Sequence, residues 1–262
     1  MLATQNSLWF SNALLALGIM FGSSWVGCAT ARLPIQTLNQ KLHERLLNDD
    51  RTDRSIAKLL HNIQREPQTP ELRIALGRRF LEQGQLNSAK LAAEAAIELA
   101  PTNAEGWQLL GDVDANSQRF GEALTNYQHA LGLAPNRPDL QLRIAQSYLY
   151  LGRTLRAAST LENLVNNPEQ PASLEALTLY GNVMQEIGQH SQAAHAFTTA
   201  SQQPNATCDT FIRLSHSQIL AGDVTASAAT LQTCLQKFPQ SNEARELLNQ
   251  IANQQDSDLA IR

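Results

Sequence analysis

This sequence has no surplus of basic charge. Among its 262 residues, 20 Lys and Arg face 24 Asp and Glu, giving a net charge of −4 and a pI near 5.9. Nucleic-acid binders gather Lys and Arg on one face, whereas the densest basic run after residue 32 is "GRR" at 77–79. No nucleic-acid partner is expected. Aromatic residues are also few, at 5%, and glycine is sparse, at 13 residues. Helix formers such as Ala, Leu and Gln dominate instead. No alternating β-branched run bounded by turn signals occurs, so a sheet is excluded and the expected class is all-α.

Cysteine is scarce as well. Cys28, Cys208 and Cys234 are too few for a disulfide framework and lack the CxxC spacing of a zinc site. Cys208 and Cys234 fall within one helical hairpin, which leaves two alternatives: a single disulfide if the domain is exported, or two buried thiols. Catalytic patterns are missing too. The six histidines, His43, His61, His129, His190, His195 and His216, are scattered, with no HExxH pair. No GxSxG, glycine-rich phosphate loop or GxGxxG follows a strand. Ser215, His216 and Ser217 are sequence neighbours on a helix, so they point to different faces and form no dyad. The expectation is a non-enzyme with no cofactor, no metal and no small-molecule substrate.

What the chain does contain begins with an uncharged stretch. Residues 1–31 carry no Asp, Glu, Lys or Arg, and 8–31, "LWFSNALLALGIMFGSSWVGCATA", is long enough to cross a bilayer. The ending "WVGC" at 25–28 resembles the lipobox of bacterial lipoproteins, which implies lipidation of Cys28. A single-pass anchor is the competing reading. Trp9 and Trp25 would lie about 24 Å apart on a helix, the separation of two interfacial belts. Arg32, Lys41 and Arg45 would then favour a cytoplasmic C-terminal part. Both readings attach the protein to a membrane, in a bacterial cell envelope.

Past residue 69 the chain repeats itself. Prolines 101, 135, 168, 204 and 239 stand at intervals of 34, 33, 36 and 35 residues, a period that means a helical solenoid. Numbering each copy from Pro70, Ala104, Pro138, Leu174 and Cys208 as position 1, the second carries Trp107, Leu110, Gly111, Ala123, Tyr127, Ala130 and Pro135. The first shows Leu76, Gly77, Phe80, Ala89, Ala96 and Pro101, and the fourth Tyr180, Gly181, Ala193, Phe197 and Ala200. This pattern resembles the tetratricopeptide repeat. The resemblance implies a right-handed α-solenoid of about five helix-turn-helix repeats, at 70–103, 104–137, 138–173, 174–207 and 208–240.

Residues 32–69 read as a degenerate two-helix repeat with Leu38, Leu42, Leu46, Leu59 and Leu60 inward, and 241–262 as a capping helix with a frayed tail. Small residues at positions 8, 20 and 27 are expected to let helices approach to about 8–10 Å. Gly84, Gly152, Gly188 and Gly222 occupy the turns, where a left-handed residue carries no Cβ penalty. Gln118 stands in their place in the second copy and should strain its turn. Thr69 reads as an N-cap before Pro70, and "TNAE" at 102–105 has capping-box spacing. Because Asp114, Leu164, Cys234, Ser215 and Ser227 depart from the pattern, the last two copies should pack more loosely.

In the family that the repeats resemble, positions 2, 5, 9, 12 and 13 of the first helices line a concave groove that takes an extended peptide or a helix. Carried over, the partner-binding residues are Ile74, Arg78 and Leu81; Gln108 and Asp112; Leu142, Gln146, Leu149 and Tyr150; Asn182; and Ile212, His216 and Ile219. Leu149, Tyr150, Ile212 and Ile219 form the expected apolar anchor strip. The Lys and Asn clamp that chaperone-binding members close on a terminal carboxylate is absent, with Arg143 and Arg213 its only remnants. These implications add up to a membrane-tethered adaptor or scaffold with a protein partner in a pilus, secretin or outer-membrane assembly. The alternatives are an anchored cytoplasmic-side assembly factor and a non-catalytic regulatory subunit of an enzyme.

Overall fold

Helix-forming stretches separated by one left-handed residue leave the chain little choice but to turn back on itself every 12 to 14 residues. The structure, a computed structural model, describes residues 54–260, with side chains as far as Asn253. Among the described residues there are twelve helices and no strand. They are α1 (Arg54–Arg65), α2 (Pro70–Glu82), α3 (Leu86–Leu99), α4 (Ala104–Asn116), α5 (Phe120–Leu133), α6 (Pro138–Tyr150) and α7 (Thr154–Val165). Then follow α8 (Leu174–Glu186), α9 (His190–Ser201), α10 (Cys208–Leu220), α11 (Val224–Lys237) and α12 (Asn242–Ala260). Each helix packs on the next in chain order. The fold is an all-α solenoid, as the period predicts. Cys28, Leu38, Leu42 and Leu46 lie outside the described residues.

Every hairpin turns in the same way. Gly84, Gly152, Gly188 and Gly222 have φ of +71°, +68°, +79° and +87°, and Gln118 adopts +60°. The amide after each left-handed residue returns to the carbonyl of the helix's last turn: Gln85 to Phe80, Arg119 to Asp114, Arg153 to Tyr148, Gln189 to Met184 and Asp223 to Gln218, all at 2.8 Å. That bond ends the helix without leaving its carbonyls unpaired. Four turns obtain the geometry from glycine, while Gln118 obtains it against the steric cost of its Cβ. Gln118→Gly is accordingly expected to stabilise the array by about 0.5–1 kcal/mol, net of glycine's larger unfolded-state entropy. Urea unfolding of the two proteins at one pH checks this, and an unchanged or lowered midpoint would contradict it.

The glycines at position 8 are held close by their neighbours: Gly77 lies against Leu109 and the Ala89 carbonyl, whereas Gly111 and Gly181 lie beneath rings. A Cβ added to Gly111 would stand 2.6 Å from the Tyr127 ring, and one added to Gly181 2.6 Å from Phe197. Fully buried Ala89, Ala123, Ala157 and Ala193 fill the facing position 20. The fourth copy therefore packs closely, contrary to expectation, because its glycine and phenylalanine interlock as Gly111 and Tyr127 do in the second. The fifth copy substitutes a different contact. Ser215 and Ser227 are both fully buried, and their hydroxyl oxygens are 2.7 Å apart. A hydrogen bond there replaces the apolar contact that glycine and alanine make elsewhere.

Asp114, standing where the pattern has an aromatic, is buried and accepts hydrogen bonds from the Arg119 guanidinium and, at 2.7 Å, from Asn126 Nδ2. Thr69 holds the N-cap position before Pro70 as expected, without a side-chain capping bond, but the start of α4 needs a correction. The cap of α4 is Asn103, whose Oδ1 accepts from Glu105 N at 2.9 Å. Thr102 lies one residue too early for that role. At the ends, Leu59 and Leu60 pack with Ile56 against Leu76 and Phe80, while Ala244 and Ile251 of α12 cover Phe211 and Leu231.

Candidate protein-docking surface

The first helices of the five copies, α2, α4, α6, α8 and α10, stand side by side, and their position 9 residues set what that wall can offer. Each of the first four reaches the following copy. Arg78 Nη2 donates to Glu105 Oε2 at 2.9 Å, and Gln146 Nε2 donates to Glu175 Oε1 at 3.0 Å. Asp112 Oδ1 accepts from Arg143 Nη1 at 2.7 Å, and Asn182 Oδ1 accepts from Arg213 Nη1 at 3.1 Å. The rungs alternate: position 9 meets position 2 at the first and third junctions, and position 6 at the second and fourth. Within the second copy, Arg137 at its end donates to Gln108 Oε1 at 2.7 Å. His216, the fifth residue of the series, is exposed and has no such partner among the described residues.

This ladder reassigns most of the expected polar groove. Arg78, Asp112, Gln146 and Asn182 are engaged with neighbouring copies, so they hold the array in register before any partner arrives, and Gln108 is engaged within its own copy. Arg143 and Arg213 are engaged too, the latter also with Asp209 at 2.7 Å. Neither is a free carboxylate clamp. The strongest rung is Asp112, whose Oδ1 also accepts from Tyr127 Oη at 2.8 Å. Burial raises the Asp112 carboxyl above its ordinary value, while the Arg143 guanidinium pulls it back. Burial, then the Asp112 charge, raises the Tyr127 phenol, which stays a protonated donor. Asp112→Ala leaves that buried hydroxyl without its acceptor and should cost about 1.5–3 kcal/mol. Arg78→Ala breaks a pair with both side chains about half exposed and should cost under about 1 kcal/mol. Equal losses in paired denaturation curves would refute this ranking.

The apolar residues of the expected strip divide by position. Ile74, Leu142 and Ile212 at position 5 are buried. They belong to the packing between copies and do not line an accessible surface. A side chain at position 5 points toward the neighbouring first helix, whereas one at 12 or 13 lies at the helix end, beyond that contact. Leu81 and Leu149 are half-buried against the core. Tyr150 is 69% exposed and stacks on Phe120 with ring centroids 4.2 Å apart, and Ile219 is 37% exposed. Leu220, 57% exposed, joins them. Transferring the Tyr150 register, position 13, to the fifth copy would have found it. Gln185, Glu186, His216, Ile219 and Leu220 line an open cleft of about 510 Å³ between α8 and α10. Nearer the helix starts, Gln146, Leu174, Glu175, Leu179, Asn182 and Asp209 border a second cleft of about 420 Å³. Among the described residues, no three His, Cys, Asp or Glu are placed to hold a metal ion, and no helix is long and apolar enough to cross a membrane.

Comparison with known proteins agrees with this geometry. Two models described as tetratricopeptide repeat match residues 74–138 and 139–169. Of curated relatives, the human protein O-mannosyl-transferase TMTC1 is 30% identical over 129 residues, 49% of this chain and 14% of that protein. A human PEX5-related protein is 34% identical over 94 residues, 36% of this chain and 15% of that one. The chain thus spans under a quarter of the length of these relatives, and their activities are said of them alone. Among solved structures, Pseudomonas aeruginosa PilF superposes with a TM-score of 0.62 at 14% identity, covering 82% of this chain and 97% of that one. YrrB, described as a TPR protein with an unusual peptide-binding site, gives 0.57 at 17% identity over 72% and 96%. At such identities these likenesses concern the fold. Period, hairpin geometry and matched residues all lead to one assignment: the chain carries tetratricopeptide repeats over residues 74–169.

Proposed function

We propose that this protein is a membrane-tethered adaptor that captures a protein partner on the wall of its first helices, without turnover, in a bacterial envelope assembly of pilus, secretin or outer-membrane type. One observation carries the docking part: large apolar side chains stay exposed at the ends of two first helices, Tyr150 on α6, and Ile219 and Leu220 on α10, where the latter two line an open cleft. A soluble array gains nothing by wetting such residues, and exposed aromatic and aliphatic groups at a cleft are where partners anchor. The ladder beneath them holds the copies in register, which lowers the ordering cost of binding. The peptide-binding description of YrrB supports the docking part, and the uncharged residues 1–31 support the tether.

A photo-crosslinker placed at 150 or 219 in the native membrane should trap a discrete protein, while one at exposed Leu133 on α5 should not. No adduct, or equal adducts at all three, would defeat the docking assignment. Fatty-acid labelling abolished by Cys28→Ser tests the tether. A second reading keeps residues 8–31 as an anchor with the repeats on the cytoplasmic side, favoured by Arg32, Lys41 and Arg45. Protein left unlabelled, and shielded from protease outside spheroplasts, would favour that reading over the lipoprotein.

A further inference from the structure

Position 27 is alanine in three of the five copies and leucine in the third, and only the fifth has a sulfur there. Position 1 of that same copy is the other cysteine of the repeat region. These two positions face each other across the open end of a hairpin, where α10 begins and α11 finishes. The sulfur atoms of Cys208 and Cys234 are 2.9 Å apart, although both are free thiols here. A disulfide bond is about 2.05 Å long, so closure asks for a contraction of about 0.9 Å, within the give of side-chain torsions. Cys234 is fully buried and Cys208 half-buried, and Cys208 also donates to Ser241 Oγ at 3.1 Å.

We propose that Cys208 and Cys234 are a redox-active pair that closes to a disulfide by exchange with a low-molecular-weight disulfide of the glutathione type, turning the last repeat hairpin into a covalent ring. The half-buried thiol reacts first. Cys208, deprotonated, attacks one sulfur of the oxidant, forming a mixed disulfide and expelling one thiolate. Cys234 then loses its proton and attacks the Cys208 sulfur, forming the internal bond and expelling the second thiolate. The two expelled thiolates take up the two protons, so two thiols of the protein are oxidised and one small disulfide is reduced to two thiols. Burial, and after it the neighbouring Cys208 sulfur, raises the Cys234 thiol above its ordinary value, which makes the second step the slower one.

Closure acts on the least supported part of the array. The last repeat has a full repeat on one side and only the single helix α12 on the other, so it opens first. The bond spans 26 residues of sequence and closes the hairpin opposite its Gly222 turn. The same hairpin carries His216, Ile219 and Leu220, so oxidation would steady that part of the docking wall. This last consequence rests on the proposed function, whereas the thiol chemistry does not.

The test uses the full chain in detergent with Cys28→Ser, so that only this pair remains, incubated with glutathione disulfide and read by intact mass and free-thiol titration. Both thiols should vanish with no glutathione retained, and tryptic cleavage after Lys237 and Arg245 should slow by about tenfold or more. The further change Cys234→Ser should arrest at a stable glutathione adduct on Cys208, and Cys208→Ser should leave Cys234 unmodified. Persistence of both thiols, arrest of the pair at the adduct, or disulfide-linked dimers would overturn the proposal. Because no partner is needed, failure here leaves the docking assignment standing, and failure of the crosslinking leaves the thiol pair standing.

Discussion

Phe197→Ala is expected to split the unfolding of this solenoid into two transitions, with the fourth and fifth copies melting first. Phe197 is fully buried, and its ring lies over Gly181. Its cluster joins Leu142 and Ala145 of the third copy, Tyr180 and Met184 of the fourth and Leu214 of the fifth. Removing a buried phenylalanine costs about 3–5 kcal/mol, because the cavity collapses only in part. In a compact domain that loss would be shared by the whole molecule. A repeat array divides it differently: each copy touches only its neighbours, so stability is nearly a sum of local terms and junctions. The substitution weakens one copy and both of its junctions together. Urea unfolding followed by hydrogen exchange should show amides in α8–α11 exchanging at denaturant concentrations that still protect α2–α5. A single displaced transition, with uniform exchange, would mean that cooperativity crosses the fourth copy and that the junctions are stronger than their contacts imply.

The second large effect is on binding. Leu220→Asp, combined with Tyr150→Ala, is expected to weaken partner capture by about 30- to 1000-fold, the range for losing an anchoring residue worth 2–4 kcal/mol. Stability should change little. Leu220 is mostly exposed, and surface substitutions usually stay within about 0.5 kcal/mol. Tyr150 also stacks on Phe120, which adds about 0.5–1.5 kcal/mol to its removal. Ile212→Asp is the informative contrast. Ile212 was expected in the same strip, yet it is buried, and a carboxylate there would be desolvated without a partner. It should abolish capture by unfolding the fifth copy, with loss of helical signal, whereas the first pair abolishes capture with the signal intact. If both proteins lose helix equally, or if Leu220→Asp and Tyr150→Ala bind normally, the separation of anchor from core is wrong.

Much of the fold was legible because a repeated unit states each structural demand several times. Small residues at positions 8 and 20 recur, four of five turns carry glycine at one register, and the strain foreseen for Gln118 appears as a left-handed φ. The interaction wall was less legible. A position number says which helix face a residue occupies but not how near the next copy stands, so Ile74, Leu142 and Ile212 read as surface and proved buried. Polar residues misled in the same way: Arg78, Asp112, Gln146 and Asn182 have the chemistry of ligand contacts, yet each finds a mate one copy on. Position 13 is Glu82, Asn116 and Glu186 in three copies, so beyond Tyr150 the repeat pattern does not mark Leu220 as an anchor.

The sequence by itself determined the helical class, the period, the turn positions and the order of the copies, since these depend on local propensity, on side-chain bulk and on residues a few places apart. Tertiary structure alone decided which groups are spent inside the array and which remain available. The ladder links residues 27 to 31 apart and the thiol pair residues 26 apart. Such distances are fixed by how one hairpin seats on another, and no local pattern encodes a separation of a few ångströms across that seat.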